Sequence, residues 1–204
     1  MAQKFVHKVS PELTDDAQYT AVSEIPTVDL TAGSTVLLYP GTYGMIAGAF
    51  ADIAFIGVGN RDDVVVDGGG IRLDNTATNA ITVENMTLKG NSSVVTGGGA
   101  AVYKEGIAAA TIKLTNVVLA NAEFGVVNEA TTGTMTLNGV DATGVDKSIM
   151  SNAAVEVNFS QLNTVANAYF TSGGAGVPAV TVRASTAGAA NVGNTTETII
   201  ALIS

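Results

Sequence analysis

The chain contains no cysteine and no tryptophan, only four prolines, and a single histidine, His7. Without cysteine there is no disulfide and no thiolate-bound zinc. One histidine excludes a histidine-rich metal centre. It also leaves a Ser-His-Asp triad with one candidate base, in a segment that reads as an N-terminal tail. Charge is scarce: 13% of the 204 residues are Asp, Glu, Lys or Arg, about half the usual share. Eighteen of those are acidic against nine basic, for a net charge of -9. A nucleic-acid backbone needs clustered Lys and Arg, so nucleic acid is not an expected partner. An anionic membrane surface is disfavoured for the same reason. No apolar run approaches the roughly 18 residues of a spanning helix. The opening "MAQKFVHKVS" lacks the continuous apolar core of a secretory signal, so the expectation is synthesis in a host cytoplasm without export. Aromatic residues make up 5% of the chain, too few for an aromatic-lined sugar groove or a large apolar pocket.

What is present is small and β-branched. Hydrophobic residues reach 47%, with Ala, Val and Ile prominent, and there are 23 glycines. The length fits one domain with a substantial core. Self-comparison shows a repeat. "ITVENMTLKGN" starts at Ile81, "IKLTNVVLANA" at Ile112, "MTLNGVDATG" at Met135, "VEVNFSQLNT" at Val155 and "VTVRASTAG" at Val180, giving spacings of 31, 23, 20 and 25 residues. Each opens with apolar–polar–apolar alternation, the mark of a strand with one buried face. Between them lie second apolar stretches, "SSVVTGGGAAVY", "EFGVVNEA", "KSIMSNAA" and "NAYFTSGG". No segment carries a 3.6-residue apolar stripe, which excludes a helical solenoid. Short strands separated by tight corners at this period describe a parallel β-helix, in which each unit is one coil.

The stretch "STVLLYPGTYG", residues 34–44, fits that scheme. Val36 to Tyr39 reads as one side of a coil, Pro40-Gly41 as its corner, and Tyr43 to Ile46 as the start of the next side. Proline needs no ladder hydrogen bond at a corner, and glycine tolerates positive φ there. Asn85, Asn116 and Asn138 fall at or near the same turn of successive repeats. Asparagine accepts left-handed φ, and its amide can bond an equivalent residue one coil along. Asn138 falls one position early, so the ladder is imperfect.

Two segments, "AGSTVLLYPGTY" (32–43) and "IAFIGVGNRDDVVVDGGG" (53–70), resemble the first coils of the pectin-lyase-like superfamily of right-handed parallel β-helices. "AQYTAVSEI" (17–25) is similar to the capping element that closes the open end in that family. The resemblance implies an all-β, single-stranded right-handed solenoid of about seven coils, roughly 35 Å long at one strand spacing per coil. Residues 1–30 would be an N-terminal arm and cap, 31–190 the β-helix, and 191–204 a C-terminal strand or arm. The superfamily includes lyases, hydrolases, esterases, adhesins and viral fibres, so the resemblance indicates fold more than function.

Sugar chemistry on this fold needs paired carboxylates or a calcium site with a basic neighbour. Asp62 and Asp63 form the one adjacent acidic pair within the repeats, beside Arg61. Asp74 follows Arg72 in "IRLD", and Glu84 lies in the Ile81 repeat. Asp62, Asp63, Asp74 and Glu84 are the candidate sugar site if the protein is an enzyme or sugar-binding module. Asp62 and Asp63 also read as a solvated corner, and Arg72 and Asp74, two apart on one side of a strand, as an exposed ion pair. Tyr103, Lys104 and Glu105 lie in "TGGGAAVYKEGIAAA" (96–110), which reads as a lateral loop packing on a neighbour. Glu123 and Glu129 flank "FGVVN" as members of a solvated face. The expectation is therefore a non-enzymatic structural protein with no cofactor and no metal. It would be a virion component, a phage capsid decoration (cement) or fibre protein, bound to a major capsid or other virion protein. A homo-oligomer is expected, a trimer by analogy with similar β-helices. Ile199, Ile200, Leu202 and Ile203 are the candidate partner contacts.

Overall fold

The structure is a computed structural model, and it describes residues 4–13, 16–75, 78–91, 99–162 and, for the backbone, 170–171 and 180–183. In chain order the strands begin with β1 (Val6–Val9), β2 (Thr35–Leu38), β3 (Gly41–Tyr43), β4 (Ile46–Gly48) and β5 (Ala51–Gly57). They continue with β6 (Val64–Val66), β7 (Ile71–Leu73), β8 (Asn79–Lys89), β9 (Val102–Lys104), β10 (Ala110–Asn128) and β11 (Gly133–Asn138). The last are β12 (Asp141–Ser151), β13 (Ala154–Asn158), β14 (Gln161–Leu162), β15 (Phe170–Thr171) and β16 (Val180–Arg183). A 3-10 turn at Val22–Glu24 lies between β1 and β2. The fold is all-β.

All strands join one curled sheet, and every pairing is parallel. The pairings sort into three rows. The first runs β1-β2-β5-β8-β10-β11-β13-β16. The second runs from β3 through β6 to the later part of β8, the middle of β10, the start of β12 and β14. The third runs from β4 through β7 and β9 to the ends of β10 and β12, and then β15.

In-register pairing stacks like on like. Val36, Phe55, Val83, Leu114, Leu137 and Val157 form one continuous inward column of the first row, and every member is 0% exposed. Ile53, Ile81, Ile112, Met135 and Val155 form the next column. The third row contributes Ile46, Ile71, Val102, Val126 and Ile149. All belong to one core, where enclosing each such side chain contributes about 1.5–3 kcal/mol.

The corner in "STVLLYPGTYG" is tighter than the sequence suggests. β2 ends at Leu38, and Gly41 already belongs to β3. The third row then starts at Ile46, so Tyr43 and Ile46 lie on different sides. Tyr43 is buried, and its hydroxyl donates to the carbonyls of Val9 (2.9 Å) and Tyr39 (2.5 Å). That tyrosine ties the corner to β1.

The N-terminal segment is part of the sheet rather than a free tail. Val6–Val9 pairs with Thr35–Leu38. His7 is buried between Phe5 and Tyr19, with Nε2 3.2 Å from the Asp29 carbonyl oxygen. Beyond β1 the chain turns over the end of the stack. The amides of Gln18 and Tyr19 both donate to the Lys8 carbonyl, and Ile25 enters the core with Tyr19, Val22 and Leu30 packed against it.

The first corner carries the asparagines. Asn85 and Asn116 both adopt left-handed φ, 57° and 52°. The Asn116 amide donates to Asn85 Oδ1 at 2.7 Å, and the Asn85 amide donates to the carbonyls of Gly57 (2.9 Å) and Gly59 (2.7 Å). Asn138 instead pairs with Thr115 and Asn158 inside the first row. The left-handed position after it is Gly139, with φ 63°. Glycine needs no amide to be comfortable there, which accounts for the offset in the repeat.

Gly57 starts this corner under a tighter constraint. A Cβ there would stand 2.0 Å from the Asn85 carbonyl oxygen, whereas a Cβ on Gly44 would meet nothing within 4 Å. Gly57→Ala should therefore lower stability by about 1–3 kcal/mol or more, as overpacking against backbone does. Gly44→Ala should stay within about 0.5 kcal/mol. Denaturant midpoints of the two variants against the parent check this.

Candidate functional site

The densest set of ionisable groups lies at the ends of the third-row strands. Ile71 and Leu73 point inward, so Arg72 between them points out. Register places Tyr103 of β9 beside Arg72. The guanidinium carbon stands 5.2 Å from the ring centroid, within reach of a cation–π contact. The Tyr103 hydroxyl donates to Glu129 Oε1 at 3.0 Å. The other oxygen of Glu129 accepts from the Gly106 amide at 2.7 Å. Glu129 thus bridges the side chain of one strand and the turn that follows it.

Lys104 follows Tyr103 and points the other way. It is 0% exposed. Its Nζ donates to the backbone carbonyls of Asp74 (2.6 Å) and Glu105 (2.7 Å). Burial lowers its pKa, opposed by the charges of Asp74, Glu105 and Glu129. Those three carboxylates occupy equivalent positions. "IRLD", "VYKE" and "VVNE" are the third-row strands of successive levels, each with its acid immediately after. Like charges stacked at one strand spacing repel. The ammonium of Lys104 beneath them and Arg72 beside them offset that repulsion. Tyr103 is pushed up to about 12, first by burial and then by its bond to Glu129.

A cleft of about 270 Å³ opens over Arg72, Asp74, Tyr103 and Glu105, with Ala47 and Gly48 on its other side. Ala47 and Gly48 also line a second groove of about 380 Å³, between the cap residues Val22, Ile25 and Leu30 and the chain at Met45 and Phe50. The first space is lined by ionic side chains, and the second by apolar side chains together with Ser23, Thr27 and backbone. Further along the same outer face, Ala100, Tyr103 and Val127 form a small buried cluster with Phe124 and Met150 packed on it. Lys147 stands 4.6 Å from the Phe124 ring centroid and pairs with Glu123 at 2.8 Å. Within the segment expected to reach a neighbour, Ala100 packs in this cluster and Ile107 is exposed.

The four acids proposed from sequence as a sugar site stand at three places. Asp62 and Asp63 occupy the turn before β6, where Arg61 lies 3.9 Å from Asp62 and donates to Asn116 Oδ1 at 3.2 Å. Glu84 stands in the first row, beside Ile56 and Thr115. Asp74 alone joins the third-row cluster. Pro40 lies at the first corner and Gly41 opens β3, and Ile199, Ile200, Leu202 and Ile203 fall outside the described residues. Sequence reading grouped Arg72 with Asp74, Tyr103 with Lys104 and Glu105, and Glu129 with Glu123, without joining the three sets. The signal was the acid closing each third-row strand, visible once "IRLD", "VYKE" and "VVNE" are aligned. Among the described residues, no group of three His, Asp or Glu side chains is placed to hold a metal ion.

Comparisons of the chain with protein-family models, with curated proteins and with solved structures find no match.

The cluster implies a specific alkaline profile. Lys104 has a lowered folded-state pKa, so between that value and the ordinary lysine value of about 10.4 the unfolded chain holds more protons. Stability should rise with pH across that window, and the rise should vanish in Lys104→Met. Tyr103 and Tyr43 are raised from 10.0 to about 12, both chiefly by burial. Above pH 10 the unfolded chain loses those protons first, so their contribution should be lost as pH climbs to about 12. Tyr103→Phe should flatten the fall. Denaturant titrations at stepped pH, with phenolate absorbance to report ionisation, measure both limbs.

Proposed function

We propose that this chain is a right-handed parallel β-helix of about seven coils, of the pectin-lyase-like kind. We propose further that it is a non-enzymatic structural component of a virus particle, a phage capsid decoration or cement protein. Its partners in this reading are a major capsid or other virion protein and further copies of itself, with a trimer as the closed arrangement. Three rows of parallel pairing, visited in turn by the chain, support the fold. One observation carries the structural role: the ionic cluster is engaged in holding backbone. Lys104 is enclosed and bound to two main-chain carbonyls, and Glu129 bridges the Tyr103 hydroxyl and the Gly106 amide. Groups spent on turns are not free to act on a substrate.

A second reading is favoured by the cleft over Arg72, Asp74 and Glu105. A guanidinium and two carboxylates around a small open space are donors and acceptors suited to sugar hydroxyls. On this reading the chain is a polysaccharide-acting enzyme or a sugar-binding module.

Gradient sedimentation of the source lysate separates the two. The structural role requires this chain to travel with megadalton particles at a fixed ratio to a major shell protein. A peak only at the size of a single chain or trimer sinks it, and a saccharide binding and cleavage screen with Glu105→Gln as control then tests the second reading.

A further inference from the structure

The three rows each begin with a strand that has one strand partner, and the three edges are finished differently. At β1, the outward carbonyl of Lys8 accepts from Gln18 and Tyr19, and Ser10 donates to the Tyr19 carbonyl. At β3, Pro11 lies across the edge, its Cγ 2.5 Å from where a Cβ on Gly41 would stand. At β4, Ile46 donates to the Gly70 carbonyl and Gly48 accepts from Asp74. Alternate residues of a parallel strand bond to opposite sides. The N–H and C=O of Ala47 therefore face away from β7, toward the end of the row. There the cap and the chain at Met45–Phe50 leave the groove of about 380 Å³ walled by Val22, Ile25, Leu30, Met45 and Phe50. A slot walled by apolar side chains, with the backbone of an unpaired strand edge along it, is the geometry of strand addition.

We propose that this slot takes an added strand from a second copy of this chain, the segment Ile199–Ile203. That segment, "IIALI", is apolar on both alternating faces, with Ile200 and Leu202 on one and Ile199, Ala201 and Ile203 on the other. A strand laid between the cap and the end of the core can pack apolar side chains against both walls, Val22, Ile25 and Leu30 on one side and Met45 and Phe50 on the other. It follows β16 by 15 residues, 184–198, a tether of up to about 50 Å. β16 ends the first row at the opposite end of the stack from β4. A copy placed end to end delivers its segment directly to the β4 edge, whereas the same chain's segment must run back along the whole lateral face. The contact is heterologous, so it repeats head to tail. It stands on the strand edges alone and does not depend on whether the chain decorates a particle.

Two variants and their mixture test it by sedimentation velocity of the full chain. Ala47→Pro removes the edge N–H and leaves the β7 ladder intact, since Ala47 makes no bond to it. Leu202→Asp spoils the donated strand and touches nothing in the slot. The parent should form a series of head-to-tail species that grows with concentration. Each variant alone should lose it, with association weaker by about tenfold or more. Mixed one to one, the intact tail of Ala47→Pro should enter the intact slot of Leu202→Asp, giving a species of twice the single-unit mass and nothing longer. A parent that stays one size at all concentrations overturns the proposal. So does assembly that survives Leu202→Asp, or a mixture no heavier than its parts. Circular dichroism and melting of each variant establish that it is folded. If Ala47→Pro does not fold, Met45→Asp on the slot wall takes its place.

Discussion

Everything in this molecule depends on in-register parallel pairing at a single strand spacing. Because each strand of the first row pairs in parallel with its equivalent in the neighbouring repeat, a residue's neighbours are its counterparts one repeat away. The column Val36, Phe55, Val83, Leu114, Leu137, Val157 is the consequence. So is the low aromatic content: a narrow interior shared by three rows has room for one aliphatic side chain per position. Phe50 and Phe55 meet edge to face at 5.2 Å near the capped end, where the cap, not another strand, closes the core.

The same rule makes corners expensive in backbone freedom and cheap in side chains. A turn must reverse direction without displacing the turns above and below by more than one strand spacing. Asn85 and Asn116 do this in left-handed conformation and bond to each other. Gly57 and Gly139 do it by having no side chain. Stacking also gathers charge. Asp74, Glu105 and Glu129 would repel as a bare row. A lysine buried beneath them, bound to main-chain carbonyls, turns a liability into a brace for the third corner. That brace is the strongest support for reading the protein as architecture. The cleft beside it keeps a sugar-binding reading physically reasonable.

Ends matter most in a repeating stack, because only there do strand edges and core meet solvent. The chain closes two of its three first edges with its own backbone and a proline, and leaves the third beside an apolar slot. A protein that assembles through shape would concentrate its specificity at such a place.

Period-two alternation from Ile81, Ile112, Met135 and Val155 was enough, by sequence alone, to establish short half-buried strands, their repetition and their parallel stacking, because burial of one face is a local property of the pattern. The aliphatic core and the turn role of Asn85 and Asn116 were legible for the same reason. Tertiary structure decided what depends on register. It set Gly139, rather than Asn138, at the turn position and moved His7 from a tail into β1. It separated Asp62, Asp63 and Glu84 from Asp74, and joined Asp74 instead to Lys104 and Glu129. Unequal repeats of 20 to 31 residues hide which residues share a level, and only the hydrogen-bonded ladder counts them off.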